Sequence, residues 1–380
     1  MAAGRRIRIL IADDSAVMRS LLRSVVSMDA GLEVVGTAAD GQATLSAVEA
    51  LRPDLVLLDV EMPVMNGLVT LRQLRARGHK IPVIMCSSLT QRGARVTIEA
   101  LASGASDYVA KPVGQSSREA SMRALSQDLI PRIHALTSLP PPALTGAART
   151  LFPVAMAPMP KAQPISSVPA ALAIGVSTGG PAALDILLPE LPADFPLPVL
   201  IVQHMPELFT RQLAERLNSH CSLRVCEGAE GEQVHPGAIY IARGNWHMEV
   251  LPGVRGGQLA TLHLNQGPPE NHCRPAVDVL FRSVAAVYGA GVLAVVLTGM
   301  GSDGMLGCRA VRERGGSVLA QDQATSTVWG MPGAVAQAGL AHKVLPLDAI
   351  SAEIVRMAGR APAPSAQLCN VSPDPERMVV

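Results

Sequence analysis

Charged and hydroxyl side chains end successive apolar runs in the first third of the chain. Asp13 and Asp14 follow the first run, Asp59 ends the third, Ser87 ends the fourth, and Lys111 ends the fifth. If these runs are parallel strands, their carboxyl ends meet at one edge of a sheet. Clustered carboxylates repel one another and need a cation, and oxygen ligands with open water positions suit Mg²⁺. An aspartate nucleophile beside a metal, a hydroxyl and a lysine fits phosphoryl transfer to a carboxylate.

A serine between glycines marks a second candidate site. Ser177 follows the apolar run Ala171–Val176 and lies in Gly-Val-Ser-Thr-Gly, a match to G-x-S-x-G. The flanking glycines permit a tight strand-to-helix turn, which exposes the hydroxyl and directs helix N–H groups at a developing anion. The match alone is weak, because a phosphate loop or a plain strand–helix turn fits it equally well.

A serine nucleophile needs a base and an acid that orients the base. Of the nine histidines, His204 directly follows another apolar run, so we expect it at the same sheet edge as Ser177. His247 and His272 lie in loop-rich segments and are less well placed. Asp303 follows a third run and is the predicted orienting acid. The chain order Ser, His, Asp differs from the Ser, Asp, His order of α/β-hydrolases, which disfavours that fold.

Residues 299–304 also fit the G-x-G-x-x-G pattern of dinucleotide-binding loops, and Asp322 imitates the acid that binds a ribose. However, Asp303 would place a carboxylate inside a loop that must hold pyrophosphate, where the potential should be positive. Nucleotide binding therefore stays a minor alternative, which titration with NAD(H) would test.

The elements around these residues predict two α/β domains. Apolar residues make up 48% of the 380-residue chain and aromatic residues only 2%, a composition that suits parallel sheets buried on both faces. Five strand–helix units precede residue 113, and the alternation resumes at Ala171. Between residues 228 and 267, the runs Ala238–Ala242, Met248–Leu251 and Leu259–Leu264 suggest an antiparallel hairpin insertion.

Proline marks the predicted domain boundaries. Residues 137–169 contain eight prolines among Ala, Ser and Thr, which predicts a semi-extended linker. The Pro- and Ala-rich segment 361–380 is predicted to be disordered. The expected organisation is a first domain at 1–130, a linker at 131–169, a catalytic domain at 170–360 and a tail at 361–380.

The strand-end residues of the first domain, with Leu-Leu-Asp-Val-Glu-Met-Pro-x-Met-Asn-Gly around Asp59 and Lys-Pro at 111–112, resemble response-regulator receiver domains over about residues 5–130. This resemblance implies a flavodoxin-like, five-stranded parallel sheet with Asp59 as phosphoacceptor. The other implied roles are Mg²⁺ binding by Asp13, Asp14 and Asp59, phosphoryl sensing by Ser87 and Lys111, and an aromatic switch at Tyr108.

Five motifs of the second domain, at residues 174–181, 203–206, 272–281, 297–304 and 329–332, resemble the methylesterase domain of CheB over about residues 170–350. The resemblance implies a doubly wound, Rossmann-like catalytic domain with Ser177 as nucleophile, His204 as base and Asp303 as its orienting acid. It also implies the Met300 N–H in the oxyanion hole, Thr178 near the site, and no cofactor in this half.

The implied activity is hydrolysis of γ-methyl glutamate esters on methyl-accepting chemoreceptors, with deamidation of receptor glutamines also open. A chemotaxis histidine kinase would be the phosphodonor, and the unphosphorylated receiver would cover the catalytic face. The alternative is a phosphorylation-dependent binding module with an idle hydrolase domain. The intact Ser177, His204 and Asp303 count against that alternative.

Charge and cysteine usage limit the other partners. A net charge of +1 gives no reason to expect nucleic acid or an anionic membrane. The six cysteines form no C-x-x-C pair and no secretory signal is recognisable, which indicates reduced cytoplasmic thiols. No apolar run approaches the ~18 residues needed to span a bilayer, so membrane insertion is not expected.

Overall fold

The first domain is a parallel sheet between two layers of helices. The computed structural model describes residues 5–112, 117–137, 168–253 and 259–359. The strands are β1 (Ile7–Ala12), β2 (Leu32–Ala38), β3 (Leu55–Asp59), β4 (Val83–Ser87) and β5 (Asp107–Ala110). The helices are α1 (Ala16–Val26), α2 (Gly41–Leu51), α3 (Gly67–Ala76), α4 (Gln91–Ala102) and α5 (Arg118–Thr137). The strand order is β2-β1-β3-β4-β5, which confirms the five-stranded flavodoxin-like sheet.

Local sequence explains these elements. Every residue of β3 and β4 is buried, as expected for strands covered by helices on both faces. Ser15 accepts a hydrogen bond from Met18 N at 3.3 Å and so caps α1.

The second domain has a seven-stranded sheet and a separate hairpin. Its strands are β6 (Ala171–Val176), β7 (Val199–Gln203), β8 (Arg224–Glu227), β9 (Ala238–Ile241), β10 (His247–Leu251), β11 (Thr261–Asn265), β12 (Val292–Val296), β13 (Ser317–Gln321) and β14 (Lys343–Leu345). Its helices are α6 (Gly180–Leu187), α7 (Glu207–Asn218), α8 (Val277–Tyr288), α9 (Met305–Glu313), α10 (Met331–Gln337) and α11 (Leu347–Met357). The main sheet is parallel throughout, with the order β14-β13-β12-β6-β7-β9-β8.

The antiparallel insertion is smaller than the sequence suggests. Strands β10 and β11 form the expected antiparallel hairpin. The run at 238–242, which the sequence assigns to the same insertion, is instead the parallel strand β9 between β7 and β8. All four residues of β9 are buried, as expected for a strand inside a parallel sheet that is covered on both faces.

The two domains share one hydrophobic cluster. Helix α4 of the first domain packs on α6 and α7 of the second. The rings of Tyr108 and Phe209 stack across this boundary, with centroids 4.6 Å apart and planes inclined by 19°. Both side chains are almost fully buried. The contact therefore removes a continuous apolar surface of both domains from water.

The predicted linker lies largely outside the described residues, and the predicted disordered tail lies entirely outside them. Within the described ranges, none of the helices combines the length and the apolar character needed to cross a bilayer.

Candidate functional site

Ser177 lies in a sharp turn at the carboxyl end of the central strand β6. Its N–H donates to Thr298 O at 3.0 Å, and its carbonyl accepts from Gly180 N at 2.8 Å. Gly179 adopts φ +79°, and a Cβ there would lie only 2.4 Å from Thr327 Oγ1. The turn therefore requires glycine at this position, as the G-x-S-x-G pattern suggests.

His204 and Asp303 form a hydrogen-bonded pair at the same sheet edge. His204 follows β7, the neighbour of β6, and its N–H donates to Val176 O at 3.2 Å. His204 Nε2 lies 2.7 Å from Asp303 Oδ2. No hydrogen bond joins Ser177 Oγ to His204 in the described part of the chain. The three predicted residues thus lie at the same edge of the sheet, and the contact between the histidine and the acid is already formed. Contacts of this kind often tighten only when substrate binds.

Asp303 is held at the start of helix α8. Its carboxylate accepts from the backbone N–H of Val277 at 2.7 Å and of Asp278 at 3.0 Å, and from Asn271 Nδ2 at 2.9 Å. Burial favours the neutral acid, but the hydrogen bond from His204 and those from the helix start outweigh burial and keep the pKa of Asp303 below its usual range. Asp303 is therefore a fixed anion that favours a protonated His204.

The second ring nitrogen of His204 faces a cysteine. Cys273 Sγ lies 3.5 Å from His204 Nδ1. Burial disfavours the imidazolium, but the hydrogen bonds with Asp303 and Cys273 outweigh burial and raise the pKa of His204 to about 9. Sequence reasoning gave no role to Asn271 or Cys273. Cys273 lies in the motif at residues 272–281 and Asn271 directly precedes that motif, and this position was the available signal.

The loop after β12 touches the serine. A Cβ at Gly299 would lie 2.8 Å from Ser177 Cβ, so the Met300 N–H follows a residue in direct contact with Ser177. In the same loop, Gly304 N donates to Asp303 Oδ1 at 3.0 Å. The place that a dinucleotide-binding loop keeps for pyrophosphate is thus occupied by the protein's own carboxylate, which disfavours nucleotide binding.

Thr178, next to the serine, binds the first domain. Its hydroxyl donates to Asp107 Oδ2 at 2.8 Å, and Thr178 is buried. Asp107 also accepts from Arg132 Nη1 at 2.7 Å. The guanidinium of Arg132 lies 6.0 Å from the centre of the Tyr108 ring. The residue beside Ser177 is therefore connected to strand β5 through Asp107, which is also bound by Arg132 of helix α5.

The acidic pocket of the first domain has the predicted composition. Asp13, Asp14 and Asp59 each place an oxygen within 4.8 Å of the others. Lys111 Nζ lies 2.8 Å from Asp13 Oδ2 and 2.8 Å from Asp59 Oδ1. Asp13 Oδ2 is buried and accepts no hydrogen bond of good geometry among the described residues. Its interaction with the Lys111 ammonium is therefore an ion pair. Burial raises the pKa of Asp59, and Lys111 offsets part of that rise. Crowded carboxylates with an unsatisfied oxygen fit a hard cation such as Mg²⁺.

The remaining predicted residues divide between this pocket and the domain boundary. Ser87 is buried at the end of β4, and its carbonyl accepts from Lys111 N at 2.7 Å. Its hydroxyl donates to Ser88 O at 3.2 Å. Tyr108 does not face the pocket with them, since its ring packs on Phe209 of the second domain.

An acidic pocket of this kind on one doubly wound sheet, followed by a Ser, His and Asp cluster on another, defines a class of protein: a response regulator whose output domain is a hydrolase. Family models agree with both halves. The response regulator receiver domain matches residues 9–122, and the CheB methylesterase domain matches residues 172–354.

Curated relatives match nearly the whole chain. A protein-glutamate methylesterase/protein-glutamine glutaminase of Nocardioides sp. is 52% identical, covering 93% of this chain and 96% of the relative. One of the same name from Trichodesmium erythraeum is 46% identical, covering 93% and 99%. Among solved structures, the CheB methylesterase catalytic domain of Thermotoga maritima is 41% identical, with a TM-score of 0.48, and covers 50% of this chain and 98% of that domain. The chain belongs to the CheB methylesterase family of chemotaxis response regulators.

Proposed function

We propose that this protein is a phosphorylation-activated hydrolase that removes methyl groups from γ-methyl glutamate esters of chemoreceptors, with glutamine deamidation as a second reaction of the same site. The observation that carries the proposal is the His204–Asp303 pair at 2.7 Å, which lies at the strand end next to Ser177. The names of the relatives supply the substrate class. The proposed boundaries are a receiver at 1–130, a linker at 131–169, a catalytic domain at 170–360 and a tail at 361–380.

The proposed reaction proceeds through an acyl-enzyme. Ser177 Oγ attacks the ester carbonyl while His204 accepts its proton at Nδ1, because Nε2 is engaged by Asp303. The Met300 N–H stabilises the negative charge on the former carbonyl oxygen. His204 then protonates the departing methanol. Water, deprotonated by His204, attacks the acyl-enzyme and releases glutamate and free Ser177.

The electrostatics support a base that Asp303 strengthens. The buried carboxylate stabilises the imidazolium that forms when His204 accepts the proton of the serine. With a pKa of about 9, His204 is mostly protonated at pH 7, and only the neutral fraction can start the reaction. The rate of ester hydrolysis should therefore rise from pH 7 to about pH 9.

The proposed regulatory site is the acidic pocket. Asp59 would accept the phosphoryl group from a chemotaxis histidine kinase, and Asp13 and Asp14 would hold Mg²⁺ together with Asp59. When bound, Mg²⁺ neutralises charge around the phosphoryl group. Lys111 and Ser87 flank Asp59 and would bind the added oxygens, since Lys111 already lies 2.8 Å from the Asp59 carboxylate.

Contacts between the domains support inhibition by the unphosphorylated receiver. Thr178, beside the nucleophile, donates to Asp107 of the receiver, and Phe209 stacks on the proposed switch residue Tyr108. A phosphoryl group on Asp59 would act on this boundary through strands β4 and β5, which are paired side by side. Phosphorylation then shifts the population toward an open form.

The test is methanol release from methylated receptor membranes, with and without Mg²⁺ and a small-molecule phosphodonor. Wild type should release methanol faster when phosphorylated, and Ser177→Ala should lose at least ~10³-fold in rate. If phosphorylated wild type released no methanol from several receptors, the esterase proposal would be wrong. A phenotype that Ser177→Ala retains in cells would favour the binding-module alternative.

A further inference from the structure

Three side chains that can bind metal converge at the proposed active site. One ligand atom from each of His204, Cys273 and Asp303 lies within 4.8 Å of the other two. Cys273 Sγ lies 3.5 Å from His204 Nδ1, and the thiol has no role in the proposed reaction. This cluster is separate from the acidic pocket of the receiver and contains nitrogen and sulfur as well as oxygen.

The spacing of these atoms fits a tetrahedral cation. With metal–nitrogen and metal–sulfur distances of about 2.0 Å and 2.3 Å, a tetrahedral zinc ion separates the two ligand atoms by about 3.5 Å. Because His204 Nε2 is engaged by Asp303, the lone pair of Nδ1 lies on the side of Cys273. The ring and the thiol can therefore bind one ion without moving apart.

Asp303 suits a supporting role better than a direct one. Its carboxylate already accepts hydrogen bonds from His204, from the start of α8 and from Asn271. A carboxylate on the far nitrogen of a metal-binding histidine is the usual arrangement in zinc sites, because it fixes the ring and strengthens the ligand. Asp303 would thus orient the imidazole for a metal as it does for a proton.

The cluster is also open enough to admit an ion. Cys273 and His204 are both partly exposed, so water can complete the coordination. By contrast, Cys86 and Cys308 are fully buried. A thiolate with an imidazole selects zinc and similar transition metals over Mg²⁺, which prefers oxygen. Millimolar Mg²⁺ at the receiver would not compete for this site.

We propose that His204 Nδ1 and Cys273 Sγ form a binding site for a zinc-like divalent cation, and that the bound ion inhibits the hydrolase. At pH 7, binding releases the thiol proton of Cys273 and the Nδ1 proton of His204 to solvent, and the two new metal bonds replace two bonds from the ion to water. The ion then occupies the lone pair that must accept the proton of Ser177. The inhibition rests on the proposed function, whereas the metal site itself does not.

Cobalt(II) tests the site without any activity measurement. Added to the reduced full-length protein, Co²⁺ bound to a thiolate gives a sulfur-to-metal absorption band in the near ultraviolet. The band should be present in wild type and absent from Cys273→Ser and Cys273→Ala. Cys226→Ser is the matched control, because Cys226 is also partly buried and lies 3.9 Å from a carboxylate oxygen of Glu232. In the acidic pocket, Asp13, Asp14 and Asp59 offer only carboxylate oxygens and the nearby Cys86 is fully buried, so ions bound there should give no such band. A wild-type protein without the band, or a band that survives both Cys273 substitutions, would refute the site.

Zinc inhibition of methanol release by the phosphorylated protein tests the consequence. Each variant is compared with its own metal-free rate. The half-inhibitory zinc concentration should be at least ~10-fold higher for Cys273→Ser than for wild type and Cys226→Ser, since even supporting residues change metal affinity by that much. Equal zinc sensitivity of wild type and Cys273→Ser would overturn the inhibition. If no variant released methanol while the cobalt band followed Cys273, the proposed function would fail and the metal site would stand.

Discussion

The hydrogen bond from Thr178 to Asp107 offers a direct test of the proposed inhibition of the catalytic domain by the receiver. Thr178→Val keeps the shape of the side chain but removes the hydroxyl that donates at 2.8 Å. Asp107 Oδ2 retains Arg132 at 2.7 Å, so the substitution leaves no buried charge without a partner. The closed form therefore loses one hydrogen bond to a carboxylate, worth ~1.5–3 kcal/mol.

This loss converts into an expected rate. Each 1.4 kcal/mol changes a population ratio about tenfold, so the ratio of open to closed protein should rise at least ~10-fold. Methanol release by unphosphorylated Thr178→Val should increase by about that factor, up to the rate of phosphorylated wild type. The phosphorylated variant should match phosphorylated wild type, because the hydrogen bond is already broken in the open form.

The control is Thr178→Ser, which keeps the hydroxyl and should stay close to the wild-type basal rate. If Thr178 acted in the reaction itself, its substitution would change the two rates differently than if it acted on the contact between the domains. If Thr178→Val lowered the unphosphorylated and phosphorylated rates by the same factor, Thr178 would serve the reaction, and its bond to Asp107 would not contribute to inhibition.

Three further predictions follow from the geometry. Because hydrogen bonds raise the pKa of His204 to about 9, kcat/KM for ester hydrolysis should increase with pH and reach half of its maximum at about pH 9. A half-maximum below pH 7 would contradict the pairing of the His204 ring with Asp303. Gly179→Ala should lower the free energy of unfolding in urea by at least ~2 kcal/mol, because it adds a clash with Thr327 to a left-handed backbone. The control Gly231→Ala, at φ +72° in open space, should lower it by only ~1 kcal/mol. Equal losses of stability would exclude the clash. Mg²⁺ should raise the Tm of wild type but not of Asp13→Asn, and an equal rise in both would place the cation elsewhere.

The sequence predicts the carboxyl ends of the strands best. Ser177, His204 and Asp303 each follow a continuous apolar run, and parallel strands bring such positions to one edge whatever the helices do. The same logic fails for β9. Its four buried residues fit a hairpin or a central strand equally well, because periodicity cannot distinguish them when both faces are covered.

Contacts that depend on loops and domain packing were not predictable. Cys273 lies in an irregular segment, and only the fold of that segment brings its sulfur to His204. The bond between Thr178 and Asp107 joins residues 71 positions apart in separate domains. No sequence pattern at Thr178 or Asp107 identifies the partner, since a polar side chain at the boundary between two domains can bind many different neighbours.

The stack of Tyr108 on Phe209 has a thermal consequence. Opening the boundary exposes two aromatic rings, so activation should be accompanied by an increase in heat capacity. Apolar association weakens on cooling, because its driving force near room temperature is almost entirely entropic. If the receiver inhibits as proposed, its contact with the catalytic domain should weaken in the cold, and the basal rate should rise relative to the phosphorylated rate. The contact between Tyr108 and Phe209 would then partly offset the slowing of the proposed demethylation on cooling.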